Sequence, residues 1–139
     1  MARSRKVNDR HGIIIAGGGV LYSQASDTLR LFAERYGVPV LETQAGKSSL
    51  PHDHQLNMGS VGVTGTSASN ALAEEADLVL AVGTRLQDFT TGSWALFKND
   101  DLRIIGLNTQ AFDAHKHRAL PLVADARAGL EALNAALTG

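Results

Sequence analysis

The fold is decided by the stretch Ile13-Ile14-Ile15-Ala16-Gly17-Gly18-Gly19-Val20, in which an apolar run passes directly into three glycines. A strand that is buried on both faces of a parallel sheet is typically an unbroken apolar run, and glycine allows a tight turn and a close approach to a ligand. A helical pattern follows from Ser23. A helix that starts after such a turn directs unpaired backbone N–H groups toward an anion. The stretch therefore predicts a doubly wound α/β fold of the nucleotide-binding type.

The composition is that of one ordinary globular domain. The chain has 139 residues, 44% of them hydrophobic and 19% charged, which is enough to bury a core. A formal net charge of −1 gives no general attraction to nucleic acid or to an anionic membrane, so neither is expected as a partner. The sequence has no cysteine, which excludes disulfides, thiolate metal sites and cysteine nucleophiles.

The first residues differ from the rest of the chain. Basic residues cluster there without apolar periodicity, at Arg3, Arg5, Lys6 and Arg10. Residues 1–11 are therefore predicted to be a disordered tail or a remnant of cloning, and residues 12–139 to be the domain. No apolar run approaches the ~20 residues that span a bilayer, and no signal peptide precedes the first strand, so a cytoplasmic location is expected.

Strands and helices are predicted to alternate after the glycine turn. Ser23 is predicted as the N-cap of the first long helix, and Gly37 is placed to end that helix in a left-handed conformation. Further strands are predicted at Val38–Leu41, Asn57–Val61, Asp77–Val82, Leu102–Leu107 and Leu120–Ala124, the last at an edge because it contains proline. A helix capped by Thr66 or Ser67 is predicted to bury Ala68, Ala71, Leu72 and Ala76, and the last helix to bury Leu130, Leu133 and Leu137. This alternation implies right-handed βαβ units and a parallel sheet.

The glycine turn is a partial dinucleotide-binding fingerprint. Gly17 and Gly19 match its first two glycines, but Tyr22 stands at the third. Glu42 ends the second strand, where an acidic residue could bind a ribose hydroxyl. Three interpretations follow: a NAD-dependent oxidoreductase, a stand-alone domain that binds another nucleotide such as FAD or ADP, and glycines that serve the turn alone.

Two pairs of alternate histidines, His52 with His54 and His115 with His117, have the spacing of possible metal ligands. No carboxylate cluster accompanies either pair, so both are interpreted as exposed loop histidines and no metal site is predicted. No serine nucleophile elbow with a histidine and an acid is present either. The residues by themselves thus predict no catalytic group in this chain.

A set of motifs occurs in a recognisable order from about Ile13 to Leu137. The motifs are Ala16-Gly17-Gly19, Gly46-Lys47-Ser48 with Pro51 and His54, Ala76-Asp77-Leu78-Val79 through Gly83-Thr84-Arg85, and Ala124-Asp125-Ala126. In this order they resemble the central domain of thiamine-diphosphate-dependent enzymes, the acetohydroxyacid synthase and pyruvate oxidase superfamily. With the sixth strand inferred from this resemblance, the predicted fold is a Rossmann-like three-layer α/β/α domain whose six parallel strands have the order 3-2-1-4-5-6.

Further stretches are most similar to one family within that superfamily. They are Glu42–Lys47, Gly62–Thr66, Arg85–Trp94 and Phe112–Lys116. They resemble the trihydroxycyclohexanedione hydrolases of inositol catabolism. The resemblance implies a parent enzyme that opens the ring of a trihydroxycyclohexane-1,2-dione by hydrolysing a C–C bond. An acetolactate synthase-like thiamine-diphosphate enzyme is the alternative within the superfamily.

The resemblance also implies what this chain lacks. Thiamine diphosphate and Mg²⁺ would be bound by N- and C-terminal domains whose motifs do not occur in these 139 residues. Residues 12–139 are accordingly expected to be an excised middle domain without a catalytic residue, and the chain to be inactive by itself. Its expected partners are the neighbouring domains of the same chain, in an enzyme that forms a homo-oligomer.

Two groups of site residues follow from the resemblance. The first would line a nucleotide-type cleft, either functional or vestigial, and comprises Gly17, Gly18, Gly19, Gly83, Thr84, Arg85 and Asp125. The second is a substrate-proximal loop with Gln87, Asp88, Phe89, Thr90, Thr91 and Trp94. Phe89 stands where acetohydroxyacid synthases carry an arginine for a keto-acid carboxylate, which favours an uncharged cyclitol. Leu107-Asn108-Thr109-Gln110 lacks the acidic residues of flavin-binding relatives, which argues against FAD.

Overall fold

Six parallel strands form one sheet in the order β3-β2-β1-β4-β5-β6. The computed structural model describes residues 11–62, 65–84, 86, 102–110 and 119–137. The strands are β1 Gly12–Ala16, β2 Val40–Glu42, β3 Asn57–Ser60, β4 Leu78–Val82, β5 Arg103–Asn108 and β6 Leu120–Val123. Every adjacent pair in the sheet is parallel, so the predicted strand order and direction are confirmed.

Helices cover both faces of the sheet. Those within the described residues are α1 Gly18–Tyr22, α2 Ser26–Tyr36, α3 Ser67–Glu75 and α4 Ala126–Leu137. Alternate side chains of β1 enter different layers: Ile14 packs in a cluster with Leu29 of α2 and Leu130 of α4, whereas Ile15 packs in a second cluster with Ala73 of α3. This arrangement buries the central strands on both sides, which is why their sequences are continuous apolar runs.

The segment between β1 and α2 differs from the prediction at Ser23. The short helix α1 begins at Gly18, within the run of glycines, and Ser23 ends this helix instead of capping the next one. The Ser23 hydroxyl donates to the carbonyl of Gly19 at 2.7 Å, a local bond that competes with an N-cap role. Helix α2 begins at Ser26 without a side-chain cap.

Most of the other helix and strand ends lie at or near the residues predicted from the sequence. Gly37 has φ 64° and ends α2 in the left-handed region, and the Thr66 hydroxyl caps α3 by accepting the N–H of Ser69 at 3.1 Å. Strand β2 begins at Val40, two residues later than predicted. Leu137 was predicted to be buried and is 56% exposed, so that prediction is wrong for the last turn of α4.

The predicted buried face of α3 is confirmed in part. Ala76 is buried and Leu72 packs partly buried against the same cluster, whereas Ala68 and Ala71 are exposed. Ser69 and Ala73 are buried without having been predicted. The Ser69 hydroxyl donates to the carbonyl of Met58 in β3 at 2.8 Å, and a buried hydroxyl requires such a partner.

Candidate ligand cleft at the carboxyl edge of the sheet

The glycine turn is hydrogen-bonded to the end of β4. The N–H of Gly17 donates to the carbonyl of Val82 at 2.8 Å, and the N–H of Gly19 donates to the carbonyl of Gly83 at 3.0 Å. Within the turn, the N–H of Val20 donates to the carbonyl of Gly17 at 3.1 Å. The turn therefore lies beside the fourth strand, at the topological switch between β1 and β4, as predicted.

The three glycines of the turn lie against other protein segments. A Cβ atom on Gly17 would come within 2.5 Å of the Thr84 Cβ, and one on Gly19 within 2.7 Å of the Gly83 Cα. A Cβ on Gly18 would lie 3.2 Å from the Ala45 Cβ, in the loop after β2. Close approach of protein backbone accounts for the absence of side chains at Gly17 and Gly19.

An open cleft of about 550 Å³ lies next to the turn, at the carboxyl ends of β4, β5 and β6. Of the seven predicted cofactor-binding residues, Gly19, Gly83 and Asp125 line it, whereas Gly17, Gly18 and Thr84 do not. Arg85 lies outside the described residues. A second groove of about 580 Å³ is lined by side chains of α2 and α4 alone and includes none of the predicted site residues.

Seven of the ten described lining residues were not predicted to be site residues, Tyr22 and Ser23 among them. Tyr22 and Ser23 form the wall on the side of the glycine turn, and Tyr22 is 92% exposed. Their position directly after the turn was the available signal, since ligands of open α/β sheets bind where the connections leave the carboxyl ends of strands.

Two polar residues on the opposite wall, Asp125 and Asn108, already form hydrogen bonds within the protein. A carboxylate oxygen of Asp125 accepts the N–H of Ala128 at 2.7 Å and so caps the start of α4. The side-chain amide of Asn108 donates to the carbonyl of Thr84 at 3.3 Å, and its oxygen accepts the N–H of Gln110 at 3.0 Å. These bonds fix the ends of β4 and β5 relative to each other.

Glu42 does not line the cleft. Its side chain is 4% exposed, and one carboxylate oxygen accepts the N–H of Leu50 at 3.1 Å and the side-chain amide of Asn57 at 3.4 Å. The carboxylate thus organises the long connection between β2 and β3. The interpretation of Glu42 as a ribose-binding residue, on which the NAD-dependent alternative rests, is not supported by this geometry.

His54 is not the exposed loop residue that the sequence suggested, although His52 is exposed. The His54 side chain is 11% exposed; its Nε2 lies 2.8 Å from a carboxylate oxygen of Glu34 in α2, and its Nδ1 accepts the N–H of Leu56 at 3.1 Å. Because Nδ1 is an acceptor, the proton lies on Nε2 and is donated to Glu34. His54 therefore fastens the β2–β3 connection to α2. His115 and His117 lie outside the described residues.

The contact between Glu34 and His54 gives a pH-dependent prediction. The hydrogen bond from His54, with the charge of Arg30 adding to it, lowers the pKa of Glu34 from its usual value of 4.5. A lowered pKa in the folded state stabilises the fold above pH 4.5, and this contribution disappears as the pH falls through the lowered pKa. We expect Glu34→Gln to lower the melting temperature at pH 7, and the difference from wild type to be smaller at about pH 3.

Glu131→Gln is the matched control, because Glu131 makes an exposed pair with Arg127 at 3.5 Å. Such surface pairs contribute little, so its melting temperature should differ little from wild type at either pH. A Glu34→Gln difference that stays constant between the two pH values would contradict the role assigned to His54.

The predicted substrate-proximal loop lies outside the described residues, with Gln87, Asp88, Phe89, Thr90, Thr91 and Trp94. Leu86, directly before this loop, is described: its side chain is 5% exposed, and its N–H donates to the Thr84 hydroxyl at 3.1 Å. Leu86 has φ 51°, an uncommon conformation for a bulky side chain. The assignment of the loop to the substrate stays a prediction.

The described part of the chain contains neither a cluster of metal-ligating side chains nor a membrane-spanning helix. Within residues 11–62, 65–84, 86, 102–110 and 119–137, no three side chains of histidine, cysteine, aspartate or glutamate lie close enough to share a metal ion. None of the helices in these ranges combines the length and the apolar character needed to cross a membrane.

Three curated relatives are similar over most of this chain. The 3D-(3,5/4)-trihydroxycyclohexane-1,2-dione hydrolase of Clostridium tetani is 48% identical to this chain over 121 residues. The aligned segment covers 87% of this chain and 19% of that protein. The identity to the enzyme of that name in Clostridium perfringens is 47% over 131 residues, or 94% of this chain and 20% of the relative. A relative in Bacillus cereus, named hydrolase 2 of the same diketone, is 47% identical over 87% of this chain and 19% of its own length. The chain therefore spans about a fifth of the length of these relatives.

A protein family described as "Thiamine pyrophosphate enzyme, central domain" matches residues 7–133. The match includes β1 to β6 and most of α4, together with the glycine turn, the Gly83 turn and the Asp125 cap. The resemblance drawn from the order of the motifs is thus confirmed, and a stand-alone nucleotide-binding domain is not favoured. This chain belongs to the family of thiamine pyrophosphate enzyme central domains.

Proposed function

We propose that this chain is the central domain of a longer thiamine-diphosphate-dependent enzyme that hydrolyses a ring C–C bond of a trihydroxycyclohexane-1,2-dione. The observation that carries the proposal is the 47–49% identity to hydrolases of this diketone, which extends over 87–94% of the chain. The central domain contributes no catalytic group of its own in this proposal, and the chain by itself is inactive on the diketone.

Thiamine diphosphate and Mg²⁺ would be bound by other domains of the same enzyme. Support comes from the donor set of the cleft, where the described lining residues offer one carboxylate, Asp125, and that carboxylate already caps α4. This set does not fit a diphosphate with its divalent ion, which requires several oxygen ligands and cationic or N–H donors. Thiamine diphosphate supplies a nucleophilic carbon when it is bound. Residues 12–139 would then position neighbouring domains instead of the cofactor.

We also propose a cytoplasmic homo-oligomer in which the neighbouring domains of the chain are the direct partners of this one. A sequence without cysteine makes no demand for an oxidising compartment, which supports the location. The exposed apolar side chains Leu31, Leu120 and Leu137 support docking against other domains.

The contribution of this domain to substrate selection is assigned to the loop after β4. The loop leaves the carboxyl end of a central strand, the edge at which ligands of open α/β sheets bind. Phe89 in that loop cannot form the bidentate pair with a carboxylate that an arginine would form. An uncharged polyhydroxylated ring is consistent with such a loop, because Gln87, Asp88 and Thr90 offer hydrogen-bonding groups to hydroxyls.

The test is a pair of substitutions at Phe89 in the enzyme that contains this domain. We expect Phe89→Arg to lower kcat/KM for the cyclic diketone by roughly tenfold or more, because an arginine suits a substrate carboxylate that the uncharged diketone does not have. Phe89→Leu keeps an apolar side chain and is expected to retain most of the activity. The melting temperatures of both variants are measured as well, to distinguish a lower kcat/KM from a loss of folded protein. Equal kcat/KM values for Phe89→Arg and wild type would remove the loop from substrate selection.

A further inference from the structure

Asp77 lies at the amino edge of the sheet, directly before β4. One oxygen of its carboxylate accepts the backbone N–H of His11, the residue directly before β1, at 2.9 Å. The backbone N–H of Asp77 donates to the carbonyl of His11 at 3.1 Å. Asp77 therefore binds both backbone polar groups of the residue through which the chain enters the sheet.

The carboxylate bond extends the connection between β1 and β4 by one residue. The register of these strands begins with Gly12 beside Leu78 and ends with Ala16 beside Val82. Backbone groups alone form such a parallel ladder, so its first pair does not require a side chain. A carboxylate acceptor gives a shorter and stronger hydrogen bond than a neutral acceptor. The Asp77 side chain thus fixes the direction of the chain one residue before the strand begins.

Asp77 also lies at the opposite end of β4 from the predicted substrate-proximal loop. Its carbonyl accepts the N–H of Arg103, the first residue of β5, at 2.9 Å. Strand β4, Leu78–Val82, follows Asp77 directly and is buried over its last four residues. Five residues of strand span about 16 Å, and the loop follows the turn after them. One short buried strand therefore connects the entry of the chain to the base of that loop.

We propose that Asp77 is a positioning residue for the active site of the longer enzyme, because its carboxylate fixes how the chain from the preceding domain enters β1. This inference rests on the proposed function, in which other domains bind thiamine diphosphate and the loop after β4 selects the substrate. A site shared between domains requires a fixed separation between the loop and the cofactor, since a small misplacement of reacting groups costs a large factor in rate. Asp77 acts on this separation at the entry point, without contacting the substrate.

The first test is turnover of the cyclic diketone by the enzyme that contains this domain, well below its melting temperature. Asp77→Ala removes the acceptor, and we expect kcat to fall by about tenfold. Asp77→Asn keeps a side-chain oxygen for the N–H of His11, and its kcat should stay within about twofold of wild type. His11→Pro removes the donor and leaves the Asp77 side chain in place, so its kcat is expected to fall like that of Asp77→Ala.

Ser69→Ala is the matched control for a loss of stability. It removes the buried hydrogen bond from α3 to the carbonyl of Met58, so it should lower the melting temperature and leave kcat unchanged. A kcat equal to that of wild type in folded Asp77→Ala would reduce Asp77 to a stabilising residue and overturn the proposal. If Asp77→Ala does not fold, a folded His11→Pro with the kcat of wild type overturns it equally.

Amide hydrogen exchange at His11 in the 139-residue chain tests the inference without any substrate. We expect exchange at this amide to be about tenfold faster in Asp77→Ala than in Asp77→Asn, and Ser69→Ala to match wild type. Equal exchange in Asp77→Ala and Asp77→Asn would overturn the inference whatever substrate the enzyme uses. A wild-type enzyme that leaves the diketone intact would contradict the proposed function, and the exchange rates would still decide whether Asp77 holds the entry of the chain.

Discussion

Gly83→Ala is expected to destabilise this domain strongly, because alanine at this position meets both a conformational penalty and a close contact. Gly83 has φ 64°, and a Cβ there would lie 2.6 Å from the Gly19 Cα and 2.9 Å from the Gly19 nitrogen. The left-handed conformation penalises alanine, and the contact is with backbone, which cannot move aside without breaking the hydrogen bond from Gly19 to Gly83. The expected loss in the free energy of unfolding is about 3 kcal/mol or more, measured by urea denaturation.

Gly37→Ala separates the two causes of this loss. Gly37 has the same φ of 64°, but a Cβ at that position meets no atom within 4 Å. Alanine at Gly37 therefore carries the conformational penalty alone, about 1 kcal/mol. If Gly83→Ala costs no more than Gly37→Ala, the contact between the two turns is not close, and the account of the glycine turn is wrong.

Glu42→Ala is expected to have the second largest effect. The Glu42 carboxylate is buried, and its removal leaves the N–H of Leu50 and the side-chain amide of Asn57 without this acceptor. An unsatisfied buried donor costs about 1–3 kcal/mol, and a loss in this range is expected for the N–H of Leu50. The Asn57 amide keeps the carbonyls of Leu50 and Pro51 as acceptors, at 3.4 and 3.2 Å, and adds little to the loss. Glu42→Gln retains a side-chain oxygen for Leu50 and should lose clearly less.

Amide hydrogen exchange at Leu50, read together with denaturant unfolding, measures this effect at the position concerned. Exchange at Leu50 should accelerate in Glu42→Ala and stay slow in Glu42→Gln. Equal losses in the two variants would mean that the negative charge, and not the acceptor geometry, determines the contribution of Glu42.

The sheet could be predicted from the sequence because its signals are local and redundant. The run Ile13–Ala16 is buried on both faces and therefore apolar at every position, and the run Leu78–Val82 has the same character. Gly37 ends α2 through its own left-handed backbone conformation. Thr66 starts α3 through a hydrogen bond to its own side chain. Properties of this kind are visible in a short window of sequence.

The differences arise where a side chain bonds to a distant part of the chain. Ser69 in α3 donates to the carbonyl of Met58 in β3, and Glu42 accepts the N–H of Leu50. His54 reaches back to Glu34 across 20 residues. None of these partners is implied by periodicity, because a hydrogen bond across the fold depends on the position that tertiary packing gives to both residues. The glycine turn was recognised from its sequence, but its contact with Gly83 required the structure.

This chain is proposed to perform the role of the central domain in a diketone hydrolase. A domain exchange tests it most directly: the corresponding segment of the Clostridium tetani hydrolase, which is 48% identical, is replaced by residues 12–137 of this chain. Ring opening of the trihydroxycyclohexane-1,2-dione is then measured together with acetolactate formation from pyruvate. We predict that the chimaera opens the ring with kcat/KM within about tenfold of the parent and forms no acetolactate. A folded chimaera that binds thiamine diphosphate and leaves the diketone intact would contradict the account.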